Sequence, residues 1–248
     1  MASDDRVALC VARFYADLAD ALEAGAREAL AEADVVDIDR FEVPGSFELP
    51  LIAKYAAESG RYAAVVALGA VIRGETDHYD YVCAETSRGL QDVQLQTGVP
   101  VGFGVLTVDN MDQARARVKG GGKRDTGAHA VEAFSVPGAF ELPLVAKYAA
   151  QSGRFDIVVC LGAVIRGETD HYDYVCGAAA DGISRVQLET GVPCGFGVLT
   201  VDTMEQALDR VAGGSKRDTG RHAVEAALAS LEVKRELGGR RGPAGFAV

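Results

Sequence analysis

The stretch Leu68-Gly-Ala-Val-Ile-Arg-Gly-Glu-Thr-Asp-His-Tyr-Asp-Tyr-Val-Cys83 lies where a predicted strand passes into a predicted helix. The strand is the apolar run Ala63–Ile72, whose composition is typical of a parallel strand that is covered on both faces. The helix is His78–Thr97, which ends before the turn Gly98-Val-Pro100. A covered strand followed by a loop and a helix is the building unit of parallel α/β sheets, so this stretch decides the fold class.

A repeat organises the 248-residue chain. The letters of 68–83 return unchanged at 161–176. The same spacing of 93 residues carries 41–133 onto 134–226 without an insertion. The chain therefore contains the same α/β segment twice.

The repeat is incomplete at the junction of the two copies. Residues 1–40 have no second copy, and the tail after Ala226 has no counterpart after Ala133. We therefore predict two units, 1–133 without its long terminal helix and 134–248 without the opening strand and helix. A strand inside a parallel sheet is costly to lose, because its two neighbours then expose backbone polar groups.

Hydrophobic periodicity predicts alternating strands and helices in each copy. The predicted strands of the first copy are Val7–Val11, Val35–Val43, Ala63–Ile72 and Val101–Val108, and the predicted helices are Tyr15–Ala33, Phe47–Ser59, His78–Thr97 and a last one that starts near Asn110. In the second copy that last helix starts near Thr203, where Thr203-Met-Glu-Gln206 fits a capping box. Four βα units with right-handed crossovers predict a three-layer α/β/α sandwich, partially duplicated.

The junction carries two incompatible patterns. As the end of the first copy, His129–Ala133 should be helical, whereas Ala130–Val136 occupies the place of a strand at the start of the second copy. A single helical turn has little stability of its own, so we predict a strand over Ala130–Val136 and extended structure by about residue 133. The helix from Thr219 to about Leu237 should then be the only full-length terminal helix.

Composition excludes several classes of protein. A formal net charge of −11 argues against binding to nucleic acid or to an anionic membrane. The apolar stretch near the N-terminus is too short for a signal peptide, and no run approaches the roughly 18 apolar residues of a membrane span. The five cysteines show no metal-ligand spacing and are expected to be reduced, buried thiols in a cytoplasmic protein.

The repeated loop carries the chemistry. Ligands of open parallel sheets bind at the carboxyl ends of strands, and glycines there let backbone amides approach an anion at a helix start. Thr76 supplies a hydroxyl and His78 a titratable base at that position. The copies differ at 84–94 and 177–187 but are identical in this loop, which favours a binding role over the alternative of a tight turn with a surface histidine.

The segments Val-Pro-Gly-(Ser/Ala)-Phe-Glu at 43–48 and 136–141, together with the repeated loop, resemble the 6,7-dimethyl-8-ribityllumazine synthase family of riboflavin biosynthesis. The resemblance covers nearly the whole chain. It implies a flavodoxin-like sandwich with a four-stranded parallel sheet, and homo-oligomers based on pentamers or larger, with sites between neighbouring subunits. It implies no cofactor and no metal.

The implied reaction condenses 5-amino-6-ribitylamino-2,4-pyrimidinedione with 3,4-dihydroxy-2-butanone 4-phosphate. By the resemblance, His78 and His171 are the catalytic proton shuttles. The substrate-binding residues it implies are Phe14, Ser46, Phe47, Glu48, Ala70, Val71, Ile72 and Phe103 in the first copy, and Ala139, Phe140, Glu141, Ala163, Val164, Ile165 and Phe196 in the second. The phosphate-binding residues it implies are Gly74, Glu75, Thr76, Arg117, Gly167, Glu168, Thr169 and Arg210. Phe103 with Arg117, or Phe196 with Arg210, would close a site from a neighbouring unit.

Some positions depart from the family's pattern. Tyr15 follows Phe14 where Asn is common. Thr126-Gly127 and Thr219-Gly220 stand where Lys-Gly is usual, which leaves open whether Lys123 and Lys216 replace that lysine. The side chains of Glu75 and Glu168 are expected to point outward, because a carboxylate repels phosphate. His129 and His222 are expected to have capping or surface roles.

The residues leave three hypotheses open. The leading one is an active lumazine synthase, and intact loops in both copies favour it. The second is a non-catalytic or partly active lumazine- or flavin-binding assembly protein, which the missing opening strand favours. The third is an artificial or recombination-derived fusion whose interest lies in shell architecture.

Overall fold

The computed structural model describes residues 6–123, 125–132 and 138–238, which form two compact units. Unit 1 comprises Met1–Leu144 and Arg166–Gly182, and unit 2 comprises Val145–Ile165 and Ile183–Val248. The boundary predicted between residues 133 and 134 falls outside the described residues.

Unit 1 is built on a parallel four-stranded sheet in the order β2-β1-β3-β4. The strands are β1 (Arg6–Ala12), β2 (Asp37–Val43), β3 (Ala64–Ile72) and β4 (Val101–Val108). The helices are α1 (Ala16–Glu32), α2 (Leu49–Glu58), α3 (His78–Thr97), α4 (Met111–Arg115) and α5 (Thr126–Glu132), with a 3₁₀ turn at Ser46–Glu48. The predicted α/β/α sandwich with a flavodoxin-like parallel sheet is confirmed.

Both faces of this sheet are covered, because alternate residues of its inner strand β1 point to opposite sides. Val7, Leu9 and Val11 share one core with Leu22 and Leu30 of α1. Helix α5 packs on α1 and β4 on the same side, whereas α2 and α3 pack against each other and against the sheet. Residues 7–12 are buried throughout, as expected of a strand between two neighbours.

The end of the first copy differs from its prediction. The helix near Asn110 has only five residues, and a separate helix, α5, begins at Thr126. A turn breaks the pattern at Gly120, whose φ of +84° lies in the left-handed region that favours glycine. In the second copy Thr203 accepts a hydrogen bond from Gln206 N as predicted, but the side chain of Gln206 accepts from Asp202 N rather than from Thr203 N.

The strand predicted over Ala130–Val136 is wrong for its first three residues, which are helical. Ala130 and Val131 are buried, and a Cβ on Gly102 would lie 2.0 Å from the carbonyl oxygen of Ala130. This close packing on β4 stabilises a seven-residue helix that would be unstable alone. Residues 133–137, where extended structure was predicted, lie outside the described residues.

Unit 2 contains a parallel two-stranded sheet, and the described part of the second copy provides no counterpart of β1. The remaining elements of the chain are α6 (Leu142–Gln151), β5 (Val158–Ile165), α7 (His171–Thr190), β6 (Cys194–Val201), α8 (Met204–Leu208) and α9 (Thr219–Gly238). Helices α6 and α7 each contribute their first residues to unit 1. Helix α9 confirms the predicted full-length terminal helix.

Strand β5 is less covered by neighbouring elements than its repeat equivalent β3. Leu68 of β3 is fully buried, whereas its repeat partner Leu161 of β5 is 56% exposed. A Cβ on Gly127 would lie 2.0 Å from the carbonyl oxygen of Leu22 in α1, but a Cβ on Gly220 would meet nothing closer than 3.5 Å. Among its described residues, unit 2 therefore has no strand and helix equivalent to those that bury this face in unit 1.

Candidate active site

A cavity of about 310 Å³ lies in unit 1 where β1, β2 and β3 end at their carboxyl sides. It is lined by Phe14, Tyr15, Gly45, Ser46, Phe47, Glu48, Ala70, Val71, Ile72, Gly74, Thr76, His78, Tyr79 and Val82. We call it the copy-1 cavity. Ten residues assigned from the sequence line it together, in the position where parallel sheets bind ligands.

Two aromatic side chains stand open at this cavity. Phe14 is 73% exposed and Phe47 is 59% exposed, although both are large and apolar. Tyr15 packs edge-on against Phe14, with ring centroids 5.0 Å apart. Exposed rings on two sides of a cavity suit a flat heterocyclic ligand, because stacking buries apolar surface on both partners.

The loop before α2 places polar groups at the same cavity. Glu48 Oε2 accepts a hydrogen bond of 2.9 Å from Gly45 N and so holds the loop closed. The hydroxyl of Ser46 is buried and has no hydrogen-bond partner among the described residues. It lies close to β3, because a Cβ on Gly69 would be 2.6 Å from Ser46 Oγ. A buried hydroxyl without a partner is a ready contact for a polar ligand.

Arg73 fixes the loop that carries Gly74, Thr76 and His78. Its guanidinium donates to Asp170 and, at 3.1 Å, to Asp80, and it lies 4.0 Å from the centre of the Tyr79 ring. These hydrogen bonds raise the pKa of Arg73 above its ordinary value, and the bond to Asp80 has the largest effect. The arginine is therefore engaged with carboxylates of unit 1, while His78 is exposed at the cavity.

A second cleft of about 360 Å³ in unit 1 is built from both copies of the repeat. Its lining comprises Val105–Val108, Arg117, Lys123 and Thr126 from the first copy with Thr169 and His171 from the second. We call it the composite cleft. Beside it the ring of Phe103 stacks on Phe140 at 4.9 Å and on His171 at 5.5 Å, in nearly parallel planes. The residues expected to close a site from a neighbouring unit thus meet a second-copy loop within one chain.

The cations of the composite cleft meet a carboxylate. Arg117 Nη2 lies 3.0 Å from Glu168 Oε2, and Lys123 Nζ lies 3.4 Å from Glu168 Oε1. These hydrogen bonds hold the pKa of Glu168 below its ordinary value, and the bond from Arg117 has the largest effect. The side chain of Glu168 is exposed, and it pairs with these two cations of the first copy. Glu75 is exposed and lines neither cavity.

Burial separates the equivalent residues of the two copies. Phe140 is 3% exposed beneath Phe103, in contrast to Phe47. Burial raises the pKa of the Glu141 carboxyl to about 7. Hydrogen bonds from backbone groups lower this pKa, but their effect is smaller than that of burial. Ala139 is buried as well. The described part of the composite cleft includes no counterpart of Phe14, because residues 1–40 occur once.

The other assigned residues of the second copy are divided between the units. Gly167, Glu168, Thr169 and His171 belong to unit 1, whereas Ala163, Val164, Ile165, Phe196 and Arg210 belong to unit 2. Within unit 2, Phe196 is 40% exposed, Ile165 packs against Leu199 and Val201, and Arg210 donates to the carbonyl of Gln206 at 2.8 Å.

The two histidines near the terminal helices were expected to have capping or surface roles. Asp125 Oδ1 accepts from Gly127 N and Ala128 N at the start of α5, so aspartate provides the cap. His222 is exposed and contacts Arg217. The side chain of His129 lies outside the described residues.

Sequence reasoning missed some lining residues. Tyr79 and Val82 line the copy-1 cavity, and Val82 could have been found because it lies one helical turn after His78. Lys123, left open from the sequence, lines the composite cleft. In the part of the chain that the structure describes, no group of three or more His, Cys, Asp or Glu could hold a metal ion. No helix within the same ranges is long and apolar enough to cross a membrane.

Comparison with known proteins agrees with this geometry. The sequence profile of 6,7-dimethyl-8-ribityllumazine synthase matches twice, over residues 4–134 and 122–235. The chain belongs to the 6,7-dimethyl-8-ribityllumazine synthase family. Both matches together explain the repeat as a partial tandem duplication of one family unit.

Individual relatives carry the same name. The 6,7-dimethyl-8-ribityllumazine synthase of Deinococcus radiodurans is 51% identical over 134 residues, which cover 53% of this chain and 83% of the relative. That of Kineococcus radiotolerans is 52% identical over 128 residues, covering 51% and 78%. That of Desulfatibacillum aliphaticivorans is 46% identical over 145 residues, covering 56% and 94%. One relative thus corresponds to about half of this chain.

Proposed function

We propose that this chain is an active 6,7-dimethyl-8-ribityllumazine synthase of riboflavin biosynthesis, an enzyme of the transferase class. It condenses 5-amino-6-ribitylamino-2,4-pyrimidinedione with 3,4-dihydroxy-2-butanone 4-phosphate. The observation that carries the proposal is the copy-1 cavity, which gathers exposed aromatic rings, a phosphate-type loop and an exposed histidine in one place. No cofactor or metal takes part in the proposal.

The residues of the copy-1 cavity divide the work. Phe14 stacks on the pyrimidine ring, and Ser46, Phe47 and Glu48 hold the ring and the ribityl chain. Backbone groups of Ala70–Ile72 contact the heterocycle. The orphaned hydroxyl of Ser46 supports this arrangement, because a ligand hydroxyl or amide would satisfy it.

The phosphate ester lies against the loop at the start of α3. Backbone groups of Gly74, Glu75 and Thr76 bind it there, next to the positive end of a twenty-residue helix. His78 shuttles protons while the amine condenses with the carbonyl, phosphate leaves and the ring closes with loss of water. An imidazole suits these steps because it can both accept and donate a proton near neutral pH.

A second chain completes the copy-1 cavity. In unit 1, Phe103 and Arg117 of the first copy lie against the loop of the second copy. By the repeat, Phe196 and Arg210 are the equivalent residues, and in the proposal they lie against Phe47 and His78 of another chain. The proposal therefore makes the protein a homo-oligomer, pentamer-based or larger.

The proposal also covers the domain organisation of the chain and its cellular compartment. The chain consists of two family units, 1–133 and 134–248, each incomplete. It acts in the cytoplasm on small molecules and binds neither nucleic acid nor membrane. The five free cysteines and the net charge of −11 support this.

A non-catalytic or partly active lumazine- or flavin-binding assembly protein is the second candidate. The absence of a Phe14 counterpart in the composite cleft favours it, because that cleft has no aromatic lid of its own. A turnover assay with both substrates, following the absorbance or fluorescence of the lumazine product, separates the candidates. Product formation that tracks enzyme concentration supports the synthase; binding of the product without turnover supports the alternative.

A further inference from the structure

A carboxylate of the second copy pairs with the two cations that line the composite cleft. Its two cations, Arg117 and Lys123, each lie within hydrogen-bonding distance of one oxygen of Glu168, at 3.0 and 3.4 Å. Arg117 is held in place from behind, because its Nη1 donates to the carbonyl of Gln113 at 2.9 Å. The side chain of Arg117 is only 17% exposed, so few other partners can reach it. Glu168 thus occupies the positions that an anionic ligand of these cations would take.

The rest of the lining fits a phosphate. Thr126 and Thr169 bring hydroxyls to the same cleft, and His171 brings an imidazole. Arginine, lysine and hydroxyl groups together are the donors that proteins use for phosphate oxygens. The cleft has the donors for an anion, and its own carboxylate neutralises the cations.

We propose that Glu168 gates the composite cleft, so that a phosphate group enters only by displacing the Glu168 carboxylate from Arg117 and Lys123. The proposal rests on the proposed function, since it concerns regulation of the phosphate subsite that the repeat places in the second copy. The side chain of Glu168 lies in an exposed position, 61% accessible, and is free to swing outward when a phosphate takes its place. The contact is an autoinhibitory ion pair within one chain.

Within unit 1, this ion pair forms at only one of the two repeated loops among the described residues. Glu75 has the same loop sequence as Glu168, yet the described residues of unit 1 offer it no cation. The phosphate loop of the copy-1 cavity is therefore ungated within unit 1. A chain with two identical loops has one loop that is open to an anion and one that is internally neutralised.

Titration of inorganic phosphate into the full chain, followed by calorimetry, tests the gate. Glu168→Gln removes the charge but keeps the shape, and it should lower the Kd of the composite cleft for phosphate about threefold or more. Glu168→Ala should act in the same direction. Glu205→Gln, which removes an exposed carboxylate on α8, is the matched control and should leave the Kd unchanged.

A double-mutant cycle tests whether Glu168 affects phosphate binding through Arg117 and Lys123. In an Arg117→Ala/Lys123→Ala background, Glu168→Gln should have no effect on phosphate binding, because no cation remains for it to release. The gate is overturned if Glu168→Gln leaves the Kd unchanged or raises it, if Glu205→Gln lowers it equally, or if the effect persists without the cations. Turnover of both substrates by the unaltered protein is measured separately, so failure of the proposed function is distinguishable from failure of the gate.

Discussion

Identical residues of the repeat have different neighbours. His78 is exposed beside the copy-1 cavity, whereas His171 stacks on Phe103 next to the composite cleft. Phe47 and Phe140 differ in the same way, one exposed and one covered. Because the letters are the same, the differences arise from packing, and each pair forms its own internal control.

The first residue-level prediction concerns proton transfer. His78→Ala combined with His171→Ala should lower kcat by about 10²- to 10⁴-fold, because a general acid/base is lost. His222→Ala, which alters an exposed histidine of α9, is the control and should leave kcat unchanged. Steady-state kinetics with both substrates provide the measurement. An unaltered kcat in the double variant would contradict the proposed role.

The second residue-level prediction concerns Glu141. Its folded-state pKa is raised to about 7 by burial, so the folded chain binds a proton that the unfolded chain releases near its ordinary pKa of 4.5. The stabilisation is present below pH 4.5 and is lost as the pH rises through 7. Relative to Glu141→Gln, the unaltered chain should lose up to about 3 kcal/mol of unfolding free energy across that window.

Urea denaturation at a series of pH values measures this difference. Glu48→Gln, the repeat equivalent of Glu141→Gln, is the comparison, since Glu48 lies at the open copy-1 cavity. Parallel pH profiles for the unaltered chain and Glu141→Gln would contradict the prediction.

At the level of elements, local patterns predicted most of the architecture. Strand β4 and helix α3 begin and end at the predicted residues, because an apolar run and a glycine stop fix their limits. Gly98 ends α3 with a φ of +74°. The repeat also separated the helix near Thr203 from the helix that begins at Thr219, and a turn at Gly120 separates α4 from α5 at the equivalent place.

The same distinction applies to the candidate site. Residues on adjacent strand ends could be grouped from the sequence, because parallel strands bring their carboxyl ends together. The pairing of Glu168 with Arg117 and Lys123 could not be predicted, since it depends on where these two cations lie after folding. Contacts between residues of the two copies are far apart in the sequence, so no local periodicity predicts them.

The third prediction uses the repeat as a matched pair of strands. Leu68→Ala should lower the unfolding free energy by about 2–5 kcal/mol, because it leaves a cavity in a buried core. Leu161→Ala should cost about 0.5 kcal/mol or less, because Leu161 is mostly exposed. Urea denaturation of both variants measures the difference. Equal losses would mean that β5 is covered as completely as β3.

At the level of the whole molecule, the two copies are incomplete in opposite ways. The copy-1 cavity has its own aromatic lid, Phe14, and in the proposal it takes its closing arginine from another chain. The composite cleft has a closing arginine, Arg117, and no lid residue from a second opening segment. We therefore expect at most one complete family-type site per chain.

The fourth prediction follows from this arrangement. A tight ligand that resembles the lumazine product should saturate at no more than one molecule per chain, because stacking on Phe14 is available once. Calorimetric titration of the assembled protein gives the stoichiometry. Two molecules per chain, bound with equal affinity, would contradict the prediction.

The composite cleft also differs from an ordinary subunit contact in its dependence on dilution. Its two halves are joined by the backbone, so their effective concentration is fixed by the chain and stays the same however few molecules are present. In the proposed assembly, contact between chains instead obeys mass action and weakens as the protein is diluted. In a duplicated chain, the Arg117 contact within the chain therefore forms at any protein concentration. The proposed Arg210 contact between chains forms only when the concentration is high enough for assembly.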